Sequence, residues 1–165
     1  MSKLDETHKM PIFQKAEQIF KLTEGLVHTI PLDNDFLQET IVRFMLENAM
    51  IIPAKIAGAE GGDLYDRRME NAVIIRKAAR ELYVQAGSLR YEEGITDLDY
   101  IDLLRNTIEE FRLLFIDWVA SFDNWNYIKD NWGLFNPPGV KVEDKDSNDD
   151  ISFDSNDLFE NDDDE

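Results

Sequence analysis

Apolar residues recur every three or four positions through four long segments of this chain, a period that admits little except packed helices. In residues 11–30, Ile12, Ala16, Ile19, Thr23, Val27 and Ile30 fall on one helical face, while Lys15, Gln18, Lys21 and Glu24 fall elsewhere. Pro11 suits a first helical turn and Pro31 stops the helix. A second helix starts from Asp33 or Asn34, with Leu37, Ile41, Phe44, Asn48 and Ile52 as its inner stripe. Val42, Met45, Leu46 and Met50 are apolar on its other sides, and a helix apolar nearly all round is buried on more than one side. Pro53 removes a backbone bond inside it and predicts a bend at Ala49. Gly61 and Gly62 end it.

Asp63 is placed to cap a third helix running to about Tyr91, with Leu64, Ile75, Ala78, Leu82, Ala86 and Leu89 inward. A second row on this helix, Met69, Val73, Arg76 and Arg80, mixes apolar and basic groups. Gly94 breaks it. Thr96 and Asp99 then resemble a capping box, with Ile95 stapled onto Tyr100. The fourth helix turns Tyr100, Leu104, Thr107, Ile108, Phe111, Phe115, Trp118 and Phe122 inward, leaving Leu113 and Ile116 roughly opposite. Four such helices joined by short loops predict an all-α fold, an antiparallel up-down-up-down four-helix bundle over residues 11–122. A flexible N-terminus, residues 1–10, precedes it. An aromatic extension, residues 123–140, follows, with a short helix over about 125–132. Residues 141–165 form an acidic tail expected to be disordered.

Charge and composition narrow the function. The chain has no cysteine, hence no disulfide framework and no thiolate ligand or nucleophile. No stretch of eighteen apolar residues or secretory leader is present, so the expected location is cytoplasmic, without membrane insertion. The net charge is −18. Residues 141–165 hold 12 acids and 2 lysines, and the preceding residues are acidic too. Nucleic-acid affinity comes largely from neutralising phosphates, so this balance disfavours nucleic acid as a partner.

No catalytic, metal or cofactor site emerges. A di-iron bundle needs inward glutamates and two Glu-x-x-His pairs, whereas only His8 and His28 exist and Glu24 precedes His28 by four. The glutamate pairs 92–93 and 109–110 diverge on a helix and read as solvated faces. The passage "IIPAKIAGAEGG" lacks the Gly-Lys-Ser/Thr of a phosphate loop and follows no strand, so it reads as a bend with small residues permitting close packing.

Two features point to partners. Residues 66–90 carry six bases against three acids; Arg67, Arg68, Arg76, Lys77 and Arg80 could follow a nucleic-acid backbone, but so acidic a chain favours a subunit interface or a solvated face, with the bases paired to acids of neighbouring helices. Val42, Met45, Leu46, Met50, Leu113 and Ile116 exceed what one bundle buries, which favours self-association over the alternative that the aromatic extension folds back to cover some of them. The acidic tail embeds Ile151, Phe153, Leu158 and Phe159 in carboxylates. It reads equally as a solubilising tether, a motif for a protein partner, or a phosphate mimic seated on the arginine row.

"IIPAKIAGAEGG" is also similar to the S-I-P-A-N-I-A-E-G signature of bacterial four-helix-bundle proteins. These include ribosomal-RNA intervening-sequence proteins and the accessory variability determinants of diversity-generating retroelements. Ile52, Pro53, Ala54, Ile56 and Ala57 match; Lys55 replaces asparagine, and Gly58-Ala59 interrupts the Ala-Glu-Gly. "GITDLDYIDLLRNTIEEFRLLFIDW" resembles the family's G-Y-L-s-x-x-x-Y-x-x-L passage through Tyr100 and Leu103 or Leu104. The resemblance, over about residues 12–122, implies a non-enzymatic antiparallel four-helix bundle, commonly a homopentamer. The leading expectation is therefore a self-associating interaction or scaffold module. The alternative is a nucleic-acid-binding accessory factor of a reverse transcriptase, as in the retroelement members, using the basic face of the third helix.

Overall fold

A computed structural model describes residues 2–145, and among these the chain is helical with no strand. Helix α1 spans Lys3–Lys9 and α2 Pro11–His28. Helix α3 is one rod passing through an α-turn, Asp35–Leu37, a π-helical turn, Gln38–Val42, and an α-helix, Arg43–Glu60. Helix α4 spans Tyr65–Ser88 with a 3-10 turn at Leu89–Tyr91, and α5 spans Leu98–Ala120. No helix among the described residues is long and apolar enough to cross a membrane. Helix α2 packs on α3 and α5, α3 on α4, and α4 on α5, so each long helix touches two others.

The residues expected to lead in flexibly form α1. The Ser2 hydroxyl accepts from the Asp5 N–H (3.2 Å) while the Asp5 carboxylate accepts from the Ser2 N–H (3.0 Å), a reciprocal box that occupies two donors otherwise orphaned at a helix start. These hydrogen bonds hold the Asp5 carboxyl below its ordinary pKa.

The stripe read for α2 is buried at every position, joined by Phe13 and Leu26. In α3 the stripe is shifted. The π-helical turn adds one residue between Leu37 and the rest of the rod, which rotates the following helix by about 100° relative to an uninterrupted 3.6-residue count. Val42 and Met45, expected as surface contacts, therefore face inward, Met45 at 0 % exposure, whereas Phe44 points out at 49 %. Leu37, Asn48 and Ile52 remain buried. Asn48 satisfies its amide on Gln85 of α4 (Nδ2 to Oε1, 3.2 Å).

The α-helix continues through Pro53 to Glu60. Ile52, Ile56 and Ala59 are buried, Ala57 packs partly against the core, and Ala54 and Gly58 are exposed. Gly58 does not mark a close approach: a β-carbon added there would meet Asn71 Oδ1 at an ordinary 3.6 Å. A real close approach lies elsewhere, where Gly25 of α2 faces Tyr100 of α5 and an added β-carbon would overlap the phenol oxygen.

Two caps differ from expectation. Asp97, not Thr96, caps α5 by accepting from the Tyr100 N–H at 3.1 Å. Asp63 does not cap α4; its carboxylate pairs with Lys3 (3.4 Å) and its carbonyl accepts from Asn126 (3.2 Å).

The expected short helix at 125–132 is absent. Asp123 accepts from the Trp125 N–H at 2.9 Å, and Asp130 accepts from the N–H groups of Trp132, Leu134 and Phe135 at 2.8–2.9 Å. Such side-chain capture of backbone donors competes with helix formation. Residues 141–145 include a turn in which the Lys141 N–H donates to Asp144 Oδ2 at 2.7 Å. The rest of the acidic tail, with Ile151, Phe153, Leu158 and Phe159, lies outside the described residues.

Candidate interaction groove

Helices α4 and α5 carry two contrasting sites. Where α5 ends, Glu60 of α3 accepts the Trp118 indole N–H at 2.7 Å and pairs with Arg68 of α4. The Arg68 guanidinium also lies over the Phe122 ring, 4.3 Å from its centre, a cation–π contact that partial burial strengthens. Phe111, Phe115, Trp118 and Phe122 continue as an aromatic column along α5. Arg68 therefore serves the fold.

Farther along, the same two helices leave a groove of about 920 Å³ open to solvent. Val73, Lys77, Arg80 and Val84 line it from α4, spaced by four, three and four residues, with Arg76 beside them. Ile108, Phe111, Arg112, Phe115 and Ile116 line it from α5. Ile108, Phe111 and Ala79 form a buried floor, whereas Val84 and Ile116 stand 67 % and 51 % exposed at the lip. Leu113, also exposed, lies one turn before Ile116. Tyr83 supports the floor, its ring covered by the Arg105 guanidinium at 4.0 Å.

The rim is charged. Lys77 pairs with Glu81 (3.7 Å) and Arg112 with Glu109 (2.9 Å), both exposed. Arg76 and Arg80 are exposed and make no ion pair among the described residues. Isolated guanidiniums over apolar walls suit a ligand with carboxylates and aliphatic or aromatic side chains.

The five bases expected to act together thus divide. Arg76, Lys77 and Arg80 line the groove, Arg67 is exposed outside its lining, and Arg68 is committed to Glu60 and Phe122. The six expected oligomer contacts divide as well. Val42 and Met45 belong to the core and Leu46 packs partly against it; Met50 is exposed on α3 away from the groove; Leu113 and Ile116 are exposed on α5.

Sequence reasoning missed Val84, though its place eleven residues after Val73 on the Lys77–Arg80 line marks it as a groove position. It also missed the bond between Glu60 and Trp118, which joins residues 58 apart and has no local signal. The histidines stand apart from both sites. His8 stacks on Phe13 with ring centres 4.7 Å apart, and the His28 Nδ1–H donates to the Glu24 carbonyl. Comparison with protein-family models, curated proteins and solved structures finds no match.

Proposed function

We infer that this protein is a non-enzymatic helical interaction module that self-associates, with the α4–α5 groove as its contact surface. The observation behind this reading is the open apolar floor of that groove, flanked by the exposed Val84 and Ile116. Contiguous exposed apolar surface of this kind usually marks a contact site, and its volume is that of an ordinary binding cleft. The closed circuit of helix contacts supports an up-down-up-down bundle, and resemblance to the bacterial four-helix-bundle proteins favours a closed ring of copies, a pentamer as is common there. The net charge of −18 and the loss of Arg68 to an internal ion pair favour protein over nucleic acid as the partner.

Light scattering in about 0.5 M NaCl, where charge effects are screened to within ~4 Å, tests the apolar contact. The wild-type mass should exceed the 19.2 kDa monomer. Val84→Asp with Ile116→Asp should return it to the monomer with unchanged helical circular dichroism. A wild-type monomer at high micromolar concentration would remove the reading.

A further inference from the structure

We propose that the acidic segment of residues 146–165 docks in cis into the α4–α5 groove and masks it. The inference rests on reading that groove as a contact surface and names what occupies it first.

Charge complementarity is the first argument. The groove lining carries Arg76, Lys77, Arg80 and Arg112 against Glu81 and Glu109, a local balance of +2. Residues 146–165 carry ten acids and no base, a charge of −10, in a chain that is acidic almost everywhere else. Within the segment, Ile151, Phe153, Leu158 and Phe159 are flanked by those acids in "DISFD" and "DLFE". Apolar side chains suit the floor formed by Ile108 and Phe111, and flanking carboxylates suit Arg76 and Arg80, which have no ion partner among the described residues.

Reach is the second. The Ile128 N–H donates to Asp66 Oδ1 (3.3 Å) in the first turn of α4, and Lys129 Nζ donates to the Asp144 carbonyl (2.7 Å). The segment therefore departs from close to the start of α4. Arg80 lies about 21 Å farther along that helix at 1.5 Å per residue. The reach of eight residues, the number from 146 to 153, is at most about 26 Å. Ile151 and Phe153 thus reach the level of Arg76 and Arg80, leaving Leu158 and Phe159 for the end near Val84. A tether this short gives an effective concentration of about millimolar, above any free competitor at micromolar levels.

The groove is then exposed in proportion to how easily the segment is displaced. Salt, which weakens the charge contacts and spares apolar association, opens it, so self-association increases with ionic strength.

The absence of cysteine allows a direct test in the full chain. Ser155→Cys is combined with Val84→Cys at the groove lip, or with Met50→Cys on the exposed side of α3, and treated with a short bismaleimide at low-micromolar protein. The groove pair should close within one chain about tenfold faster than the α3 pair, in keeping with a tethered rather than random encounter. Arg76→Glu with Arg80→Glu, both exposed, should abolish the preference without altering circular dichroism. Equal closure rates for the two pairs overturn the docking; a wild-type oligomer in about 0.5 M NaCl would still uphold the contact surface. Products joining two chains overturn the cis arrangement and give the groove to a second copy. Tight, Arg80-dependent binding of a labelled oligo(U) RNA to the full chain at low salt assigns the rim to phosphates, overturning the proposal.

Discussion

Arg68 and Arg80 belong to the same helix and face the same neighbour, yet their surroundings are opposite. Around Arg68 the fold is closed: Glu60 takes its charge, Phe122 its face, and Trp118 the remaining lone pair of the same carboxylate oxygen. Around Arg80 the helices separate over an apolar floor, and no acid among the described residues pairs with the guanidinium. A charge satisfied inside the fold fixes geometry, since removing its partner leaves the other ion stranded. A charge left at the rim of an apolar cleft costs little while solvated and is available to something else. One arginine row thus contains a clamp and an open rim without ion pairs, and only the packing of α3 and α5 separates them.

The sharpest way to break this contrast is to truncate one large apolar side chain at each site. Trp118→Ala should cost about 3–5 kcal/mol in urea unfolding, through lost packing and the loss of one of the two donors to Glu60. Ile116→Ala, at the open lip, should stay within about 0.5 kcal/mol, as exposed substitutions do. Comparable losses would mean that the groove is part of the core. Next in size is Glu60→Ala. A fully buried pair loses about 3–5 kcal/mol on losing one partner. The Arg68 and Glu60 side chains keep 13 % and 17 % exposure, so about 2–3 kcal/mol is expected, with Glu60→Gln milder because it retains an acceptor for Trp118. Smaller again is Arg80→Glu, which should change stability by no more than about 0.5 kcal/mol yet remove the salt dependence of self-association measured by light scattering.

Where sequence and structure agree, the apolar period alone decided the geometry. All six residues of the α2 stripe are buried, and on α5 Leu104, Ile108, Phe111 and Trp118 are buried as spaced. The errors in α3 share one cause. A π-helical turn is a one-residue insertion in a helix and leaves no composition signal. Its only trace is the five-residue step from Leu37 to Val42, and a count in 3.6 assigned Phe44 to the inside and Met45 to the outside. Asp97 differed from Thr96 by a single position, within the ordinary uncertainty of a helix end. The Ser2-x-x-Asp5 spacing is the local signal of the α1 cap, a Ser with an acid three residues later. At the groove, Arg76, Lys77, Arg80 and Ile116 were all named from sequence, but in separate groups. Whether a base faces an acid sixty residues away, as Lys3 faces Asp63, or faces open solvent, depends on helix phase and contact that no local pattern encodes.

The smallest expected effect concerns the connection between the closed end and the acidic segment. The Tyr65 N–H donates to the Asn126 carbonyl at 2.8 Å, tying the extension to the start of α4, and Asp130 then organises the turn that follows. Its carboxyl is held below the usual carboxylate range, chiefly by the Phe135 N–H, then by that of Trp132, with Leu134 adding to them. A carboxyl with a depressed folded pKa contributes stability that is complete above its unfolded value, 3.8, and is lost as pH falls through the lower folded value. Amide exchange at Trp132, Leu134 and Phe135 should therefore remain protected well below pH 5 and increase only when the pH drops under 3.8. Asp130→Asn, neutral throughout, should abolish that pH step in these three amides while leaving the amides around Trp118 protected. A simultaneous loss at Trp118 would show that the extension is part of the clamp, and the launching point assumed for residues 146–165 would then move whenever the clamp does.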